Sequence, residues 1–259
     1  MGDGVTTQAA GRWVIDLDGV IWLAGEPIAG SAEAITRLRA AGYAVTFATN
    51  NSSPTVDELV GRLTHAGISA GPEDIVTSSQ AAASILEPGS SAVVCGDEGV
   101  LEALQIRRVR VVPHAPADAV VVGWTRRFDF FLLTTAAAAV RAGARLVGTN
   151  EDATHPTPDG LQPGGGALLA AVSTAAQAEP EVAGKPHPPF VSLLRARAPD
   201  AVMVVGDRPS TDGVLAQRLG VPFALVRTGV TSDGREPMVV EPDHTAPDLL
   251  SLVTRRVEQ

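Results

Sequence analysis

Apolar residues along this chain alternate between short unbroken runs and longer stretches in which they recur every three or four positions. Trp13-Val14-Ile15 is unbroken and reads as a buried strand. Ser31 to Ala41 carries Ile35 and Leu38 at helical spacing and stops at Gly42. Ala44-Val45-Thr46-Phe47-Ala48 is the next strand, and after it Thr55 and Glu58 form a capping box for a helix through Leu59 and Leu63 that stops at Gly67. Strand, helix, strand, helix in this order predicts a parallel sheet with right-handed crossovers.

The rhythm continues through strands at Val93 to Gly96, Asp118 to Gly123 and Arg145 to Asn150, with an alanine-rich helix from Phe130 to Ala142. His155 to Gly166 is rich in Pro and Gly and reads as a loop without a regular pattern; a helix from Ala167 to Ala176 follows. Two segments echo each other. Arg39-Ala40-Ala41-Gly42 leads to a strand ending in Thr49-Asn50, and Arg141-Ala142-Gly143 to one ending in Thr149-Asn150, as expected of two βα units with shared punctuation. The middle third therefore reads as a small α/β domain of its own. Beyond Gly184-Lys185-Pro186, a helix through Phe190, Leu193 and Leu194 precedes the buried run Ala201 to Val205. Ser210 or Thr211 is expected to cap the next helix, which stops at Gly220. Pro222 to Val226 gives another strand, and the tail from Pro237 is expected to pack, with a short helix at Ala246 to Val253.

Parallel sheets bind ligands at the carboxyl ends of their strands, where the polar residues of this chain collect. Asp16 and Asp18, spaced to share a face of an extended strand, end the first run, and Gly19 lets the backbone turn. Two carboxylates so close repel, which implies a metal, a split pair of pKa values, or both. An Asp-Gly turn closing a hairpin accounts for the same residues. Thr49 and Asn50 end the second strand, so the two polar tips should be neighbours. Lys185, Asp207 and Asp212 sit at comparable points; singly they read as a solvated loop lysine and a Gly-Asp turn. Together the set offers a nucleophile, an acid/base, a hydroxyl and amide for an anionic oxygen, a cation and a further carboxylate for a metal.

Composition narrows the class. At 259 residues the chain can form a large core, and 45% hydrophobic residues without a membrane-length apolar run predict a globular protein that engages no membrane. A net charge of -9 without clustered Lys and Arg argues against nucleic acid, so an anionic substrate must be met by local devices. One cysteine, Cys95, excludes an intramolecular disulfide, and no signal peptide is evident, which predicts a cytoplasmic setting. Met1 to Thr6 fits the loose myristoylation pattern but reads as a polar leader.

The ordered set resembles the haloacid dehalogenase superfamily of phosphohydrolases: Asp16-Leu17-Asp18-Gly19, Thr49-Asn50-Asn51, Lys185, and Gly206-Asp207-Arg208 through Thr211-Asp212 are similar to its four motifs. Asp18-Gly19-Val20-Ile21-Trp22, Ala48 to Ser52, Gly148-Thr149-Asn150 and Gly184-Lys185-Pro186 resemble its NagD-like, p-nitrophenyl phosphatase branch. The resemblance implies a Rossmann-like parallel-sheet core, residues 1–79 and 184–259, with an inserted α/β cap, residues 80–183. It implies Mg²⁺-dependent hydrolysis of a small phosphorylated metabolite, of glycerol phosphate, phosphoglycolate or sugar phosphate type. Asp16 would be the nucleophile and Asp18 the acid/base. Thr49, Asn50 and Lys185 would hold phosphate. Asp16, the Asp18 main-chain carbonyl and Asp207 would hold the metal, with Asp212 behind them orienting a water or Lys185. Asn150, Asp152 and the loop around His155 to Gly160 are parts of the cap that would descend onto substrate, a Pro-rich surface loop being the alternative for the last. Caps of this kind often contribute dimer contacts, so a homodimer through the cap is a further expectation. A phosphomutase whose cap excludes water and a non-catalytic phosphoryl-ligand module are the alternatives. Dehalogenation would need neither metal nor Asp18, and receiver domains are shorter and lack the Asp-x-Asp pair. Two departures stand out: Glu151 where proline is usual after Thr149-Asn150, and Gly213 where an apolar residue commonly follows the last aspartate. His187, beside Lys185-Pro186, reads as solvent-facing.

Overall fold

The structure, a computed structural model, describes residues 10–157, 160–229 and 237–257. The leader Met1 to Thr6 lies outside them, as do residues 158 and 159 of the 155–166 segment. The chain begins with β1 (Arg12–Asp16), a small antiparallel hairpin of β2 (Trp22–Leu23) and β3 (Glu26–Pro27), α1 (Ser31–Ala40), β4 (Ala44–Thr49), α2 (Val56–His65) and β5 (Ile75–Thr77). Next come α3 (Ser78–Ser84), β6 (Ser91–Cys95), α4 (Glu98–Ile106), β7 (Arg110–Val111), β8 (Ala119–Val122), α5 (Phe130–Arg141) and β9 (Arg145–Gly148). A hairpin of β10 (Thr154–Thr157) and β11 (Gly160–Pro163) precedes α6 (Gly165–Ala176) and β12 (Glu181–Val182). The last part holds α7 (Pro188–Arg197), β13 (Ala201–Gly206), α8 (Val214–Leu219), β14 (Phe223–Val226), β15 (His244–Ala246) and α9 (Leu249–Val257).

Among the described residues these strands form a six-stranded parallel sheet, β15-β14-β13-β1-β4-β5, and a five-stranded parallel sheet, β12-β9-β8-β6-β7. The first is the Rossmann-like core, and the second, carried by the chain between β5 and α7, is the inserted cap. β1 lies at the centre of the core sheet, with Ile15 registered on Val205 and Phe47 and both faces covered, which is why its apolar run is unbroken. Each large apolar side chain sunk in this way contributes roughly 1.5–3 kcal/mol. α3 joins the layers: Ala81, Ala82 and Ala83 are buried, and the helix packs on both α4 and α7.

The carboxyl ends of the two sheets face each other. The loop after β4 is the seam. Gly99 N donates to the Ser53 carbonyl (2.9 Å), Trp124 N to Ser52 Oγ (3.0 Å), and Ser53 Oγ to Asp97 Oδ2 (3.0 Å).

The sequence reading needs four corrections. His155 to Gly166 is largely the β10–β11 hairpin, whose Pro and Gly residues obscure the strand pattern. The tail contributes β15, a three-residue edge strand too short for its alternation to register. Ser210 and Thr211 make no side-chain cap; Pro209–Gly213 is a π-helical turn that leads into α8. Asp18 lies past the end of β1, because the Leu17 carbonyl accepts from Ile21 N (2.9 Å) and Trp22 N (3.2 Å) and curls the chain.

Candidate active site

Three strands of the core deliver the site. β1 ends at Asp16, β4 at Thr49 and β13 at Gly206, with Asp207 next. Gly19, at φ 85°, turns the chain after Asp18; a Cβ there would lie 2.5 Å from Asp207 Oδ2, so only glycine allows the two loops to meet. Asp18 Oδ1 accepts from Trp22 Nε1 (3.0 Å), and its Oδ2 faces Thr49 Oγ1 at 3.5 Å. The two polar tips are thus neighbours.

Lys185 enters from the return leg of the cap and is 2% exposed. Its Nζ donates to Asp16 Oδ1 (2.8 Å), Asp212 Oδ1 (2.7 Å) and the Ala48 carbonyl (3.1 Å), which uses all three protons. Burial lowers the proton affinity of this ammonium, but the charges of Asp16 and Asp212 outweigh it, and the net shift is upward. Asp16 also moves well above the usual carboxylate range: burial is the largest cause, Lys185 opposes it, and Asp212, Asp207 and Asp18 add to it. One oxygen from each of Asp16, Asp207 and Asp212 falls within a 4.8 Å span. Asp212 has both oxygens engaged, Oδ1 by Lys185 and Oδ2 by the Arg208 N–H (3.3 Å). Such a set of three converging, largely buried carboxylates has the hard-oxygen donor chemistry that suits Mg²⁺.

Asn50 joins this centre to the cap. Its Oδ1 accepts from Lys185 N (2.8 Å), while Nδ2 reaches the Lys185 carbonyl and Asp152 Oδ2, both at 3.1 Å. Asn150 Nδ2 donates to the Asn50 carbonyl (2.6 Å). All nine residues singled out from the sequence, Asp16, Asp18, Thr49, Asn50, Asn150, Asp152, Lys185, Asp207 and Asp212, therefore gather at one place. All except Asp212 line a cleft of about 80 Å³ between core and cap.

The same cleft is lined by Leu23, Trp124 and Arg208, to which the sequence reading gave no role, by Thr211, read there only as a helix cap, and by His155 of the loop expected to approach substrate. The Trp124 and His155 rings meet with centroids 5.5 Å apart and planes tilted by 49°, and Trp124 Nε1 donates to the Pro163 carbonyl (2.9 Å), so the β10–β11 hairpin is fastened to the end of β8. Trp124 follows an apolar run at a strand end, a signal available in the sequence; His155 sat in a stretch without a readable pattern. Both departures also acquire a setting. Glu151 Oε1 meets His187 Nε2 at 2.9 Å, so this histidine faces the cap, and a Cβ on Gly213 would press on Val240 (3.0 Å) and Phe223 (3.1 Å).

Comparison with known proteins decides the family. The haloacid dehalogenase-like hydrolase model matches residues 13–108, and the HAD-hydrolase-like model residues 182–252. An acid sugar phosphatase of Staphylococcus saprophyticus is 31% identical over 249 residues, 93% of this chain and 96% of that protein. The chain belongs to the haloacid dehalogenase-like hydrolases. Within them, the D-glycerol 3-phosphate phosphatase of Mycobacterium tuberculosis is 39% identical over 85% of this chain. This haloacid dehalogenase-like chain spans 63% of that relative's length. The crystal structure of a mycobacterial glycerol phosphate phosphatase in complex with magnesium superposes with a TM-score of 0.84 at 36% identity, covering 93% of this chain and 76% of that one.

Proposed function

We propose that this protein is a Mg²⁺-dependent phosphatase that hydrolyses a small-metabolite phosphomonoester of glycerol phosphate, phosphoglycolate or sugar phosphate type. The observation that carries this reading is Asp16: a buried carboxylate at the end of β1, with Lys185 on one oxygen and Asp207 within a single ion's reach. The cleft beside it, lined by Thr49, Asn50 and Lys185, offers the polar groups that a phosphoryl group needs.

Asp16 attacks phosphorus in line with the leaving oxygen; the new O–P bond forms as the ester P–O bond breaks, giving an aspartyl-phosphate. Asp18, within reach of Thr49 and held by the Trp22 indole, donates its proton to the leaving oxygen. Now a carboxylate, Asp18 takes a proton from water, which attacks phosphorus and frees Asp16 and inorganic phosphate. Thr49, the Asn50 main chain and Lys185 balance the phosphoryl oxygens. Asp16, Asp207 and the Asp18 main-chain carbonyl are assigned to Mg²⁺, and Asp212 to orienting Lys185 and the Arg208 main chain. When bound, the ion offsets the crowded carboxylates and polarises a phosphoryl oxygen.

We assign residues 1–79 and 184–259 to the core and 80–183 to the cap, in keeping with the two sheets. Among the described residues no helix is long and apolar enough to cross a membrane. A cytoplasmic setting without membrane or nucleic-acid partners, and a homodimer through the cap, belong to the same proposal; exposed Phe130 and Phe131 at the start of α5 offer apolar surface for that contact.

The test is phosphate release from a panel of small phosphomonoesters with Mg²⁺ and with EDTA. Release is expected with Mg²⁺, is lost in EDTA, and falls by at least about 10³-fold in Asp16→Asn. A folded protein that releases no phosphate from any ester overturns the reading in favour of a mutase or a binding module.

A further inference from the structure

The Asp152 carboxylate is presented by the cap, yet core side chains hold both of its oxygens. Arg208 Nη1 donates to Oδ1 at 2.6 Å and Asn50 Nδ2 to Oδ2 at 3.1 Å. The two charged side chains are 18% and 20% exposed, so the pair is partly desolvated. Its backbone is fixed as well, because Gly166 N at the start of α6 donates to the Asp152 carbonyl (3.0 Å). The two residues before it, Asn150 and Glu151, also reach across the seam, to the Asn50 carbonyl and His187. A carboxylate placed to touch a phosphate ester would meet an anion, whereas one placed against Arg208 meets its complement.

We propose that Asp152 is a positioning residue. Its carboxylate seats the cap on the core between Arg208 and Asn50, and through the Asn50 amide it sets the backbone that carries Lys185. The chain of contacts is continuous: Asp152 to Asn50 Nδ2, Asn50 Oδ1 to Lys185 N, Lys185 Nζ to Asp16. Arg208 takes part from the loop that presents Asp207, so one pair registers the cap against both the cation and the carboxylate loop. This inference rests on the phosphatase reading for its kinetic arm only.

Asp152→Asn keeps the size of the side chain and removes the charge, Arg208→Gln removes the other partner, and the double variant tests whether they act as one. kcat and KM are measured for p-nitrophenyl phosphate and glycerol phosphate, and hydrogen exchange is followed at 149–152 and 184–187. Each single variant is expected to lower kcat about tenfold for both esters, the double variant no further, and exchange to rise in both segments. Three results would overturn the proposal: a loss confined to KM for glycerol phosphate, which marks a substrate contact; losses that multiply in the double variant; or exchange that does not change. If Asp152→Asn fails to fold, Arg208→Gln read by exchange decides. If the native protein hydrolyses neither ester, the phosphatase reading fails while the exchange arm still judges the positioning role.

Discussion

Burial and hydrogen bonding act on carboxylates in opposite directions in this chain, as Asp16 and Asp118 illustrate. Asp16 is raised chiefly by burial. Asp118, at the foot of β8, accepts from Ser91 N and Ser91 Oγ, both at 2.7 Å, and these bonds hold it below the usual carboxylate range. A depressed folded-state pKa stabilises the fold above the unfolded value, near 3.8, and that contribution disappears as pH falls through the folded value. Asp118→Ala is therefore expected to be less stable than the native chain at pH 7, with the gap closing below about pH 4; urea unfolding at both pH values checks it. The polar residues of the site were legible because their chemistry follows from residue type and place: Asp16, Thr49 and Asp207 each end an apolar run. Arg208 lay inside a motif and Glu151 beside one. Their partners, Asp152 and His187, come from the other side of the seam, and no local spacing brings those pairs together.

α2, with local start and stop chemistry, was legible; α3, whose Thr77–Gln80 box is equally local, was not singled out, and neither were elements defined by distant partners. In α2, Thr55 Oγ1 accepts from Glu58 N (3.2 Å) and Glu58 Oε2 accepts from Thr55 N (2.9 Å), a reciprocal cap fixed entirely by an i, i+3 spacing. Thr55→Ala is expected to lower stability by about 1 kcal/mol without altering the reaction centre, as read by denaturant midpoint and kcat together. The β10–β11 hairpin lacks such a signal. Its Pro163 carbonyl is held by Trp124, some forty residues earlier, so its position depends on the cap having folded. The π-helical turn at Pro209–Gly213 has a similar origin. Asp212 is drawn inward to Lys185, and Gly213 accommodates Val240 and Phe223, contacts that a helix-capping rule does not contain.

At the scale of the molecule, the parallel order of the core and the insertion of a second sheet were both readable, since alternating runs and a return to sharp punctuation after Gly184 mark them. The seam between the sheets was not, because it is built from strand-end loops. Mg²⁺ bears on the whole fold through the core carboxylates that would hold it. An ion that binds the folded carboxylates alone raises stability by RT ln(1 + [Mg²⁺]/Kd), about 2.7 kcal/mol at a hundredfold excess over Kd. The melting temperature is thus expected to climb with Mg²⁺ in the native chain and stay level in Asp207→Asn, as followed by calorimetry.

Asn50 lies where both crossings of the chain converge: Ser78 Oγ, on the outward leg, holds its carbonyl at 2.8 Å, and Lys185 N, on the return leg, holds its amide at the same distance. One residue thereby ties both crossings to the strand that bears it, so a disturbance at either crossing reaches the cleft through the same amide or carbonyl.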